Sequence, residues 1–313
     1  MKASSEGGGP QKPRPATLLA RVREEIRLRQ YSPRTEKSYI GWIKRFLRFH
    51  GGRHPRDLGP EEVKKFVSSL VTDGNVSAST QNQALSALTF LYKAVLKKEL
   101  PWLDGIMRAK RPQRLPVVLT RAEVDRLLDE LSGAAWLVAS LMYGAGLRLH
   151  EALQLRIKDV DLETRQITVR DGKGRKDRVT VLPDQLVNRL REQMRAAFLL
   201  HRRSLKQDGG WVALPNALAR KFPSAARDWR WQYVFPATRE YRDRRTKRRC
   251  RHHLHPTVLQ RAIPEVGRRA GIPKRVTCHA LRHSFANHLI QSAADIRKIL
   301  KLLGHHDVRT KMI

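Results

Sequence analysis

One run in this chain can join neither a helix nor the interior of a sheet, and it fixes how the rest must fold. Residues 109–116 read Ala-Lys-Arg-Pro-Gln-Arg-Leu-Pro. Each proline lacks an amide donor and pushes its predecessor out of helical geometry. Cations fill half of the remaining places, so the run has little to bury. It reads as a basic linker. The 313 residues therefore divide into a unit over 16–108 and a larger one over 117–313. Residues 1–15 are rich in Gly, Ser, Pro and Lys and read as a disordered tail.

Charge narrows the class of partner. Lys and Arg number 63 against 29 Asp and Glu, a net +34, while 41% hydrophobic residues suffice for packed cores. Such an excess implies a polyanion, and nucleic acid fits better than a membrane surface, since no segment reads as a basic amphipathic anchor. The longest apolar run, Trp136 to Leu147, is too short to span a bilayer and is broken by Ser and Gly. The N-terminus has no apolar core of a signal peptide. Cys250 and Cys278 make no disulfide framework. The expected location is cytoplasmic, where the cytoplasm meets the DNA.

The first unit reads as four helices. One covers Thr17 to Arg29. Ser32-Pro33 then caps and opens a second, with Tyr39, Trp42, Ile43, Phe46 and Leu47 at helical spacing. Pro60 opens a third, which Asp73-Gly74-Asn75 ends, and Ser77 or Ser79 caps a fourth through Val95. Arg34, Lys37, Lys44, Arg45 and Arg48 make the outer face of the second helix basic, suited to phosphate contacts.

The second unit opens on a capping box, Thr120 with Glu123. A buried helix, Trp136 to Tyr143, leads into Gly144-Ala-Gly-Leu-Arg148-Leu-His-Glu151. The glycines allow the backbone to come close to a ligand. His150-Glu151 is not a zinc-protease helix, because Gln154 stands where the second His belongs. Residues 166–170 and 178–182 alternate as strands around Asp171-Gly-Lys-Gly174, so Lys173 sits on a hairpin tip, with Lys176 the competing cation. A long amphipathic helix covers Leu186 to Leu205. Residues 208–255 are then rich in Trp, Arg, Pro and His, and Trp211, Trp229 and Trp231 among cations suit stacking on exposed bases or a buried aromatic cluster. Cys250, His252, His253 and His255 lack the paired spacing of a zinc site, so no metal is assigned. Pro264 is expected to interrupt the helix begun at Pro256.

The most informative stretch lies near the end. His279 and Arg282 are a helical turn apart, about 5–6 Å at Cβ, and Leu281, Phe285, Leu289 and Ile290 form a separate apolar stripe. A further helical pattern, Ile296 to Leu303, stops at Gly304, and His305 follows the stop. An arginine fork matches two phosphate oxygens, and imidazoles hold or move a proton near neutral pH. Together they can stabilise a pentacoordinate phosphorane without a metal.

His279-Ala-Leu-Arg-His-Ser-Phe-Ala followed by Leu302-Leu-Gly-His305 resembles the tyrosine recombinases of the phage integrase family. The segment 208–255 resembles the extra segment of the integron integrases among them. The resemblance runs from about Leu18 to Ile313. It implies a mostly α fold with a small antiparallel β-sheet, a helical core-binding domain and a catalytic domain. It implies catalytic roles for Arg148, Lys173, His279, Arg282 and His305, with Glu151 as a buttress. It implies site-specific recombination of gene cassettes through a 3′-phosphotyrosyl bond, with no cofactor, on duplex and folded single-stranded sites, by a homotetramer on DNA. The family's tyrosine would fall at position 314, directly after Ile313, which leaves a catalytically dead DNA-binding remnant as one alternative and a Xer-type resolvase as another.

Overall fold

Four helices build the first of two units, Met1–Arg114 and Leu115–Ile313, into which the computed structural model divides the chain. Described are residues 17–98, 115–170, 177–215 and 218–292. α1 (Leu18–Leu28) starts at Thr17, whose hydroxyl accepts from the Ala20 amide. α2 (Pro33–Phe49) starts at Ser32, with Pro33 pre-set in the first turn. α3 (Pro60–Thr72) follows, and then α4 (Ala78–Phe90). Ser77, rather than Ser79, caps α4 by accepting from the Thr80 amide. Ile26, Ile43, Phe46, Val63, Leu88 and Leu91 are fully buried between them. α4 does not run on to Val95 as an α-helix. It passes into a π-helical turn, Leu91–Leu96, that ends at Lys97 in left-handed geometry. The wider turn carries Tyr92 into the core, where its hydroxyl donates to the Leu58 carbonyl at 3.1 Å.

The second unit packs helices around a small sheet. α5 (Arg121–Asp129) carries the capping box of Thr120 and Glu123, and α6 (Gly133–Gly144) is buried on most of its surface. α7 (Leu149–Leu153) is short. β1 (Val160–Asp161), β2 (Gln166–Val169) and β3 (Arg178–Val181) form an antiparallel sheet in that order, with Val169 opposite Arg178. The turn that bears Lys173 and Lys176 lies outside the described residues. α8 (Asp184–Lys206) is the long amphipathic helix. After it the cation-rich segment contains the one-turn helix α9 (Leu218–Lys221) and a hairpin that the sequence reading did not foresee. Its strands are β4 (Pro236–Arg242) and β5 (Arg249–His253), antiparallel. α10 (Pro256–Arg269) and α11 (Cys278–Gln291) complete the unit. No described helix is long and apolar enough to cross a membrane.

Two expectations change. Pro264 does not interrupt α10, which continues through it to Arg269. Leu259, Ile263 and Val266 are buried on both sides of the proline, and that packing outweighs one missing hydrogen bond. In α11 the inward stripe is not Leu281-Phe285-Leu289-Ile290. Ile290 is exposed, and the buried positions are Cys278, Ala280, Leu281, Arg282, Ser284 and His288. The polar members hold specific partners. The Ser284 hydroxyl accepts from the Leu119 amide at 2.8 Å and donates to the Ala280 carbonyl, and His288 Nδ1 meets the Tyr143 hydroxyl at 2.9 Å.

Candidate active site

One carboxylate organises the site. α6 ends at Gly144, where an added Cβ would lie 2.8 Å from Pro183 Cγ, so only glycine fits beside that proline. Gly146 has φ +63°, a left-handed turn that swings the chain back into α7. These glycines serve close packing and a reversal of the chain. Arg148 is the N-cap of α7, and Glu151 sits in its first turn, where the helix dipole favours an anion. Glu151 accepts from the Arg148 amide at 2.8 Å and from Arg148 Nη1 at 2.5 Å. Arg178, on β3, donates from Nη1 at 3.1 Å and Nη2 at 2.6 Å to its two oxygens. Arg282 from α11 brings Nη1 to 3.6 Å of Oε2 and donates to the Gly146 carbonyl.

Three guanidiniums thus converge on one carboxylate whose side chain is 9% exposed. Burial alone would favour the neutral acid. Hydrogen bonds from Arg178 and the Arg148 amide, with the nearby positive charge, overcome it and bring the Glu151 pKa down to about 2. The Arg282 pKa is also lowered, by burial first and then by Arg148, to about 9, although Glu151 opposes the drop. Among the described residues of this cluster, one carboxylate faces three guanidiniums. These groups alone carry more positive than negative charge in a poorly hydrated place, an arrangement that suits an anion.

Of the residues singled out in the sequence, Arg148, Glu151 and Arg282 are brought together. His279 lies in the first turn of the same helix as Arg282 but is exposed where Arg282 is buried, and its ring is 6.4 Å from that of His283. Lys173 and His305 lie outside the described residues. In the first unit Arg34, Lys37, Lys44, Arg45 and Arg48 are all exposed along α2, and the Arg45 guanidinium lies 4.8 Å from the Trp42 ring centre. Trp211, Trp229 and Trp231 are each half-buried and already occupied. Trp229 packs on Phe198 and His201, at 5.2 and 5.9 Å between ring centres. Trp231 lies 3.3 Å from Lys158 Nζ, and Trp211 3.8 Å from the Arg248 guanidinium. Phe222 is the exposed ring next to α9, with Lys221 Nζ at 5.5 Å.

Arg178 is the residue that the sequence reading missed. The signal lay in the alternation of β3. Val179 and Val181 are exposed while Arg178 and Thr180 turn inward, the reverse of the apolar-in pattern. Thr180 donates to the Ala145 carbonyl at 2.9 Å, so the inward face of this strand reads the segment between α6 and α7.

Comparison with known proteins gives the family. Residues 18–102 match the phage integrase N-terminal SAM-like domain, and residues 117–313 match the phage integrase family. The chain belongs to the phage integrase family and is a tyrosine recombinase, an enzyme of site-specific DNA recombination. An integrase/recombinase of Escherichia coli is 47% identical over 96% of this chain and 89% of its own length. The tyrosine recombinase XerA of Thermococcus kodakarensis is 30% identical over 96% of this chain and 90% of its own. The fold is also that of the XerH site-specific recombinase bound to its difH substrate before cleavage, with a TM-score of 0.60 at 18% identity, covering 95% of this chain and 81% of that one.

Proposed function

We propose that the chain is an integron-type integrase, which inserts and excises gene cassettes by cutting and rejoining DNA through a 3′-phosphotyrosyl bond. The observation that carries the cutting and rejoining chemistry is the convergence of Arg148 and Arg282 on Glu151. In this reading Arg148 and Arg282 grip the scissile phosphate and stabilise the charge that builds on its oxygens. His279 and His305 hydrogen-bond the same group or take the nucleophile's proton. A tyrosine beyond Leu303-Gly304-His305 attacks phosphorus, and the 5′ oxygen leaves with a proton from Lys173. A second 5′ hydroxyl later attacks the phosphotyrosine, so the bond energy is conserved and ATP is not needed. Duplex DNA lies along the cations of α2, and the enzyme acts as a homotetramer in the cytoplasm.

The integron assignment rests on residues 208–255. Folded single-stranded sites offer unpaired bases, and aromatic rings among cations stack on them. Trp229 is committed to Phe198 and His201, so exposed Phe222 is the better base platform and Trp211 the next. Phe222→Ala should weaken binding to a folded single strand by about 5–100-fold, the range for one lost stack, and leave duplex affinity unchanged. A mobility shift at fixed salt reads both. Equal loss on the two substrates would overturn the integron reading.

The chemistry is tested on a nicked suicide substrate with protein extended to a tyrosine at position 314. Covalent adducts should appear on a denaturing gel. Arg148→Ala or Arg282→Ala should lower their rate by at least about 10²–10³-fold, as for loss of one oxyanion donor, and keep most of the DNA affinity. Adducts that form equally fast without either arginine would refute the assignment.

A further inference from the structure

Arg178 carries an inference that rests on the proposed roles of Arg148 and Arg282. Its guanidinium places one nitrogen on each oxygen of Glu151, at 3.1 and 2.6 Å, and its side chain is 8% exposed. This is the two-point geometry that a planar fork makes and an ammonium cannot. The same carboxylate receives the Arg148 guanidinium at 2.5 Å and lies 3.6 Å from that of Arg282. Arg178 comes from β3, whose Thr180 also fastens the Ala145 carbonyl, one residue before the carbonyl that accepts from Arg282.

We propose that Arg178 is a positioning residue of the recombination reaction. It fixes the plane of the Glu151 carboxylate on which Arg148 and Arg282 converge, so the two arginines are aimed only while β3 is seated against α7. The physical reason is competition. Two oxygens offer roughly four acceptor directions. Arg178 and the Arg148 amide fill three of them, the Arg148 guanidinium takes the fourth at 2.5 Å, and the Arg282 guanidinium is left at 3.6 Å. Without Arg178 the carboxylate can rotate and draw Arg148 and Arg282 fully onto itself, which turns their donors away from a phosphate. Arg178 touches the carboxylate and acts through it.

The test is a double-mutant cycle on adduct formation, in protein extended to a tyrosine at position 314. Arg178→Met should slow adduct formation about 100-fold and change DNA affinity by no more than about twofold. Glu151→Gln should slow it to a similar degree. The double variant should be no more than about threefold slower than Glu151→Gln, because residues that act as one unit are not additive. Multiplied losses, or an unchanged rate in Arg178→Met, would overturn the proposal. Arg178→Lys keeps the charge and loses the fork, so it should sit about tenfold below the parent with an unchanged melting temperature. Parent-like activity would also overturn the idea, and this variant decides the matter if the methionine variant does not fold. A readout independent of cleavage is the nitrogen NMR of the guanidiniums. The Arg148 and Arg282 signals should be slowly exchanging in the parent and broadened in Arg178→Lys. Unaltered signals would sink the proposal. Absence of adducts from the parent would instead bear on the proposed chemistry, leaving this NMR comparison to decide on Arg178.

Discussion

At the scale of single residues, two buried groups make the second unit sensitive to acid, in adjacent pH windows. Glu151 has its pKa depressed from 4.5 to about 2. A carboxyl whose folded pKa is lowered gives stability that is present above its ordinary value and lost as pH falls toward the folded value. Its contribution is on the order of 3 kcal/mol, lost between about pH 4.5 and pH 2. His253 is also depressed, from 6.5 to about 4, by burial first. It is held neutral between Tyr233 and His252, with His150 and His255 nearby. Its proton is unwelcome in the folded state, so its contribution is intact above pH 6.5 and fades down to about pH 4. Stability followed by denaturant melts should therefore fall in two steps. His253→Gln should flatten the upper step and spare the lower. Glu151→Gln should remove the lower step and cost about 3–5 kcal/mol at neutral pH, because it leaves buried arginines without their counter-charge. A single step below pH 4, unchanged by His253→Gln, would contradict this account.

At the scale of elements, periodicity was legible and inversions of it were not. The four helices of the first unit and the β2–β3 pairing could be read because caps, prolines and apolar spacing all agreed. Which way β3 faces could not, since its valines point outward and its arginine inward, and the partner that rewards that inversion, Glu151, lies far away in sequence. The β4–β5 hairpin was obscured for a similar reason. Its strands carry four arginines among twelve residues and little apolar alternation, and Glu240 meets Arg249 at 2.9 Å and Arg251 at 3.4 Å. In the site, the arginine pair was legible from the short motifs around Arg148 and Arg282, whereas their common anchor and third cation were tertiary facts. α10 supplies the prediction at this scale. A proline within a helix removes one hydrogen bond and strains a turn, worth about 3 kcal/mol against alanine. Pro264→Ala should stabilise the second unit by about 1–3 kcal/mol, with a melting temperature raised by a few degrees. A lowered melting temperature would mean that the proline sets a bend which the packing of Leu259 and Ile263 requires.

For the whole molecule, the governing quantity is net charge. Sixty-three Lys and Arg against 29 Asp and Glu give +34, distributed over both units rather than gathered at the arginine pair. α2 alone presents five exposed cations, beside a polar groove lined by Ser32, Arg34, Lys37, Ser79 and Gln83. Gln83 is held in place there by the Trp42 indole, which donates to it at 3.1 Å. Affinity for DNA should therefore be set by many phosphate contacts, each releasing counterions, while strand cutting is set by a few buried groups. The two properties should separate on salt. Log affinity should fall linearly with log salt, at roughly −0.9 per neutralised phosphate on duplex DNA. Several contacts make that slope steep. Removing Lys37, Lys44 and Arg48 together should flatten it by about 2–3, and Arg282→Ala by no more than about 1. The cutting rate measured at saturating enzyme should respond in the opposite order, falling with Arg282→Ala and holding in the triple variant. If the triple variant keeps the parent slope, α2 does not lie along the duplex, and the charge of the second unit carries the binding.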